Sequence, residues 1–153
     1  MARTYSVFAD NIAAAYSATV PIAAINGAAT IRTRIFDLML GSPAVADNAA
    51  SWQIKRTSSA AAAGTAVTPS PLDVGDPASL AGSAYVAPSV TAVTLGVAVL
   101  SWAQNQRATF RWVAAPGKEL VSAASATTNG GWALMKTVET AAFNVSFTIQ
   151  YEE

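Results

Sequence analysis

The chain has 153 residues, of which 52% are hydrophobic and only 12% are charged, and its formal net charge is zero. Ordinary soluble domains carry about 25% charged residues, so the low charge predicts a surface largely covered by neighbouring subunits. A monomer with a surface of serine, threonine and alanine is the alternative. The absence of cysteine and histidine excludes disulfides, Cys/His zinc sites and Ser-His or Cys-His triads within the chain. The scattered basic residues predict binding neither to nucleic acid nor to a membrane.

Apolar and polar residues alternate along several segments, as expected for strands with one buried face. The last segment is the most regular, since apolar side chains occupy every second position from Phe143 to Tyr151. A short helical turn is expected within 11–16, because Asp10 precedes an alanine-rich stretch. In chain order, the predicted strands lie within residues 5–8, 19–25, 30–40, 51–58, 90–102, 108–114, 132–138 and 143–151.

The predicted strands determine the expected fold class. They are separated by turn-forming sequences such as those around Asn26 and Pro116, and no long helix is predicted. Many short strands with Gly and Pro turns are typical of all-β folds. We therefore expect a single antiparallel β-sandwich or jelly-roll-like domain of about eight strands, spanning residues 1–153.

Residues 58–89 form a long stretch of small residues with four prolines and no basic residue. Neither half of the chain supplies a complete sandwich pattern by itself, so this stretch is not expected to link two domains. We interpret it as a long ordered excursion, or arm, of one domain. Long ordered loops are usually functional, and this one is expected to reach a neighbouring subunit. A mobile surface loop is the alternative.

The sequence offers little catalytic chemistry. Paired carboxylates are the remaining option, but no spacing selects a catalytic pair. The sequence "DVGD" from Asp73 to Asp76 could offer oxygen ligands to Ca²⁺, but it lacks the remainder of a recognised loop and favours a turn. We therefore expect no enzyme activity, no metal and no cofactor.

The four tryptophans are expected mainly in the core, with a carbohydrate-stacking platform as the alternative. Trp102, which is followed by polar residues, is the one expected to be most exposed.

Several stretches together resemble the capsid cement or decoration proteins of tailed bacteriophages, which are small all-β structural proteins. The resemblance is carried in order by the "YSV" start, "AAINGAATIRTRIFDLMLGSPAVADNAASWQIKRTSS", "TAVTPSPLDVGDPAS", "FRWVAAPGKELV" and the closing "IQYEE". The runs of alanine at 13–15 and 60–63 depart from the expected pattern.

This resemblance implies a homo-oligomer, often a trimer, on the outer surface of the phage head in the virion. There it would bind the major capsid protein and stabilise the shell, and no catalytic residues accompany such a family. Another phage component, such as a head fibre, neck or tail protein, is one alternative, and a carbohydrate-binding β-sandwich module is another.

The contact segments expected for this role are residues 65–88 and the N-terminal residues 2–8. Extended segments of this kind can pair with a partner by adding strands to a sheet. The candidate subunit or capsid contacts are Thr4, Tyr5, Val67, Pro69, Pro71, Leu72, Tyr85, Val86 and Trp102.

Overall fold

The computed structural model describes residues 2–81, 84–87, 90–123 and 130–153, and these residues form two antiparallel sheets without a helix. The predicted all-β sandwich is therefore confirmed. The described residues contain twelve strands, more than the number expected, because several short pairings occur in segments without alternation. The strands are β1 (Thr4–Ala14), β2 (Ala23–Ile25), β3 (Arg34–Gly41), β4 (Ala49–Thr57), β5 (Thr65–Val67), β6 (Ser70–Pro71), β7 (Ala84–Val86), β8 (Leu95–Asn105), β9 (Phe110–Val113), β10 (Leu120–Val121), β11 (Trp132–Glu139) and β12 (Phe143–Glu152).

The order of the strands defines two sheets and their edges. Sheet A has the order β10-β3-β12-β1-β6, and β9 pairs with β3 beside β10. Sheet B has the order β5-β7-β2-β11-β4-β8. The two terminal strands of the chain, β1 and β12, are neighbours in sheet A. Since β5 and β8 end sheet B on opposite sides, we call these sides the excursion edge and the β8 edge.

The main core lies between the two sheets. The inward residues of β12 alternate with polar ones and are all buried, as the sequence predicted. Sheet B contributes Trp52, Ile54, Trp132 and Leu134 to the same cluster. Burial of these large side chains is the main driving force for holding the sheets together.

Sheet B is also covered on part of its outer face. Ala133 and Met135 of β11 form a second buried cluster with Ala61 at the start of the excursion and with Val90 and Val93 just after it. Both faces of β11 are therefore buried, which explains why Trp132 to Met135 is a continuous apolar run. Strands buried on both faces lose the usual alternation.

The excursion crosses from one sheet to the other and returns. Its β5 pairs with β7 in sheet B, and its β6 pairs with β1 in sheet A. Only Thr68 and Pro69 separate β5 from β6. The described part of residues 58–89 thus closes one side of the sandwich, while residues 82, 83, 88 and 89 lie outside the described residues.

The expected helical turn at 11–16 is wrong, because β1 continues to Ala14. The register of β1 against β12 shifts between Ala9 and Ile12, and Asn11 has a left-handed φ of 51°. Asparagine tolerates this conformation better than most residues. The backbone N–H of Asn11 donates to Ser146 Oγ at 3.0 Å, so a β-bulge replaces the helical turn.

Candidate interaction surfaces

Tyr151 of β12 and Glu153, which follows this strand, hold the excursion against the sandwich. The carboxylate of Glu153 accepts hydrogen bonds from the hydroxyl of Ser79 and from the backbone N–H groups of Leu80 and Ala81, at 3.0, 2.8 and 2.8 Å. The hydroxyl oxygens of Tyr151 and Ser79 are 2.8 Å apart. These contacts fix residues 79–81 in place.

A second tyrosine extends this anchor to Pro77. The hydroxyl of Tyr5 donates to the carbonyl of Pro77 at 3.0 Å, and the Tyr5 and Tyr151 rings stack with centroids 5.7 Å apart. Burial raises the pKa of Tyr151 well above its ordinary value of 10.0, and burial is also the main cause that raises the pKa of Tyr5. Both phenols are therefore neutral hydrogen-bond donors across the physiological pH range.

The anchored segment presents apolar side chains to solvent, and we call residues 72–80 the tip. Leu72, Val74 and Leu80 are 48%, 99% and 58% exposed. The tip turns at Asp73, whose side chain accepts from the N–H of Gly75 and whose carbonyl accepts from the N–H of Asp76. Exposed apolar side chains grouped in one segment are typical of an interaction site.

The structure places the residues of "DVGD" in that turn. Among the residues that it describes, no group of three or more acidic side chains could hold a metal ion.

The predicted contact residues do not form one surface. Tyr5 and Val86 are buried in the core, because they occupy inward positions of β1 and β7, so their side chains are not available to a partner. Leu72 is exposed in the tip, and Trp102 is half-buried at the β8 edge. The remaining candidates are half-buried on or beside the excursion edge: Thr4, Val67, Pro69, Pro71 and Tyr85.

The N-terminal contact segment presents one large apolar side chain. Phe8 is exposed on the outer face of sheet A, where it borders a depression of about 330 Å³. Asp10, Met39 and Thr148 line the same depression. Phe8 is the last residue of the predicted contact segment 2–8 and was not one of the candidate contacts named individually.

Two of the four tryptophans lie in the core, and the other two pack against it. Trp52 and Trp132 are buried, while Trp102 and Trp112 are half-buried. Trp102 stacks on Phe110 with ring centroids 4.3 Å apart and lies opposite Trp52 across the β4–β8 pair. This arrangement seals the inside of the sandwich at the β8 edge.

Strand β11 carries a buried ion pair that the sequence did not indicate. The side chain of Lys136 is 0% exposed, and its ammonium forms an ion pair with Glu139 and donates to the carbonyl of Ala14 at 2.7 Å. It also lies 3.6 Å from the centroid of the Phe143 ring. Burial lowers the pKa of Lys136, and the carboxylate of Glu139 opposes that shift.

The contact with Lys136 also changes the pKa of Glu139. Burial alone would raise it, but the hydrogen bonds from Lys136 and from the backbone N–H of Tyr16 lower it below 4.5. The pair connects β11 to the end of β1 and to the segment that follows. Because the side chain of Lys136 is fully buried, the pair is a structural contact inside the sandwich.

Comparison with protein-family models, with curated proteins and with solved structures gave no match for this chain. None of the residues that the structure describes belongs to a helix with the length and apolar character needed to cross a membrane.

Proposed function

We propose that this chain is a structural protein of a tailed bacteriophage, a capsid cement protein that binds the outer surface of the head and joins major capsid subunits. The observation that carries the proposal is the tip, which exposes three apolar side chains and whose C-terminal part, residues 77–80, is anchored by Tyr5, Tyr151 and Glu153. The resemblance in sequence pattern points to the same role.

A rigid tip suits binding to a preformed shell. The anchor fixes residues 77–81 before binding, so little conformational entropy is lost when a partner covers the tip. Burial of Leu72, Val74 and Leu80 would remove apolar area from water and stabilise the complex. Because a head presents many equivalent sites, a homo-oligomer that binds several at once gains strength without new contacts.

The low charge of the chain fits the same role. Only 12% of the residues are charged, and charged residues are depleted at the centres of protein interfaces. The tip itself contains Asp73 and Asp76 and no basic residue. The capsid surface that receives it is therefore expected to be apolar with basic residues around it.

The proposal is tested by co-sedimentation of the purified chain with heads assembled without it, from the phage whose genome encodes it. In a tip variant, Leu72→Ser, Val74→Ser and Leu80→Ser are combined. The variant should fold normally, because these side chains are exposed, and should bind heads at least about 100-fold more weakly.

A matched control removes three exposed apolar side chains elsewhere. Val45, Val113 and Val138 have comparable exposure and lie outside the tip, so their combined replacement by serine should leave binding unchanged. Equal loss in both variants would assign binding to general surface hydrophobicity and contradict the role of the tip. Binding of the wild type to tails, with none to heads, would contradict the capsid assignment.

A further inference from the structure

The strand β8 is a long, uncharged edge of sheet B. Its eleven residues, Leu95 to Asn105, include no charged residue and no proline. Within the described residues it pairs with β4 alone. Proteins usually protect such an edge with charges, proline or bulges, because unpaired backbone groups invite another strand. The two irregularities in its pairing both lie toward its N-terminal end, before Leu100.

The register shows which backbone groups face the open side. The N–H of Gln106 donates to the carbonyl of Asn48 at 3.0 Å, which is one step beyond the pair between Asn105 and Ala49. Backbone groups of an antiparallel strand alternate between its two sides. Gln104 and Trp102 therefore bond to β4, while Ser101 and Ala103 direct their N–H and C=O groups to the open edge.

The side chains at these positions allow close approach. Ser101 and Ala103 are exposed on the outer face, and both are small. Trp102 and Phe110 cover the inner face by stacking on each other. Among the residues that the structure describes, a strand added beside Ser101 and Ala103 would therefore meet free backbone groups and small side chains.

We propose that β8 pairs with β8 of a second copy of this chain, antiparallel and across a two-fold axis. In the register centred on Trp102, Ser101 lies opposite Ala103 of the partner subunit, and the pair exchanges about four backbone hydrogen bonds in total. A strand that pairs with itself must place each of its charges near the same charge on the partner, which is unfavourable. The lack of charge along β8 removes this obstacle and favours a second copy as the occupant.

This contact goes beyond the proposed function and uses a different side of the molecule. The β8 edge and the excursion edge lie at opposite ends of sheet B, so self-association leaves the tip free. The pairing predicts a dimer as the smallest assembly, whereas the family resemblance implies a trimer. The mass of the purified chain distinguishes the two.

The test compares Ala103→Pro with Ala103→Ser by light scattering over a dilution series. Proline removes the N–H that faces the open edge and leaves the bonds to β4 intact, so it is tolerated there. The dissociation constant of the dimer should rise about 30-fold or more, because two hydrogen bonds are lost across the two-fold axis. Serine keeps the N–H and the small size, so that variant should dimerise like the wild type.

Amide exchange gives a second measurement that does not depend on a variant. The N–H groups of Ser101 and Ala103 should be protected at concentrations where the dimer forms and exposed on dilution, while those of Trp102 and Gln104 stay protected at both. A monomer at all concentrations, a trimer as the smallest species, or a dimer unaffected by Ala103→Pro would overturn the inference. Since no heads are present, none of these outcomes bears on capsid binding.

Discussion

The hydroxyl of Tyr151, on the last strand of the sandwich, lies 2.8 Å from the hydroxyl of Ser79 in the middle of the excursion. Because Ser79 donates its one proton to Glu153, Tyr151 donates to Ser79. This contact joins the core to the segment that presents the tip. The ordered position of the excursion therefore depends on the closing sequence of the chain.

Replacing Glu153 with alanine should loosen the tip without unfolding the domain. The carboxylate caps the N–H groups of Leu80 and Ala81, so hydrogen exchange at these two amides should become at least about tenfold faster, corresponding to about 1.4 kcal/mol of local protection. Glu152→Ala is the control, since Glu152 pairs with the exposed side chain of Arg34. Unchanged exchange at Leu80 and Ala81 would show that Glu153 does not anchor the segment.

Stability should fall at alkaline pH because of Tyr151. Its folded-state pKa is raised by burial, so the folded state keeps the proton while the unfolded state releases it above about pH 10. The stabilising contribution is thus fully present below pH 10 and is lost as the pH rises toward the folded-state pKa. Urea unfolding at pH 8 and pH 11 measures this loss.

The matched variant for this measurement is Tyr151→Phe, which cannot ionise. The wild type should lose more unfolding free energy than this variant between the two pH values, and the comparison removes contributions from other groups such as Lys136. If Tyr151 ionises in the folded protein near its ordinary pKa, as judged by absorbance of phenolate, the prediction is wrong.

The buried pair of Lys136 and Glu139 should respond asymmetrically to substitution. Glu139→Gln removes the charge that compensates a fully buried ammonium and should cost about 3 kcal/mol of unfolding free energy. Lys136→Met keeps the apolar stem, and Glu139 is partly exposed to water, so this change should cost about 1 kcal/mol or less. Urea unfolding of both single variants and the double variant measures the difference.

The double variant should resemble Lys136→Met, because it contains no uncompensated buried charge. The fall in stability at acid pH gives a further check, since the pKa of Glu139 is lowered in the folded state. The contribution of Glu139 to the unfolding free energy is present above the ordinary glutamate pKa and is lost as the pH falls through the folded-state pKa. A greater cost for Lys136→Met than for Glu139→Gln would contradict this description of the pair.

Gly131 should not tolerate a side chain. A Cβ atom there would lie 1.9 Å from the carbonyl oxygen of Ile25, where β11 and β2 meet. Gly131→Ala should therefore separate these strands and cost about 3 kcal/mol or more. Gly75 in the tip is the control, because a Cβ there would be no closer than 3.4 Å to its nearest contact. Equal unfolding free energies for the two alanine variants would contradict this reading of the β2–β11 contact.

The regular parts of the fold could be predicted from the sequence because one buried face imposes a period of two. β12 follows this period from Phe143 to Tyr151, and its observed burial matches the prediction. Trp52 and Trp132 were also correctly expected inside. The pattern at Trp132 to Met135 is continuous because both faces are covered, yet the segment was still recognisable as a strand.

Other features depend on contacts between distant residues and leave no local signal. The short strands β5, β6 and β10 form by pairing at sheet edges, with no alternation of their own. The burial of Lys136 depends on its hydrogen bond to the carbonyl of Ala14, which lies 122 positions away in the sequence. The burial of Tyr5 and Val86 likewise follows from which side of each strand faces the opposing sheet, which short segments do not specify.

The most direct test of the central claim is electron cryomicroscopy of heads reconstituted with the purified chain. We expect density for the sandwich on the outer surface of the shell, with Leu72, Val74 and Leu80 against the major capsid protein where its subunits meet. Heads with no added density at saturating concentration, or density that contacts the shell through a surface other than the tip, would contradict the account.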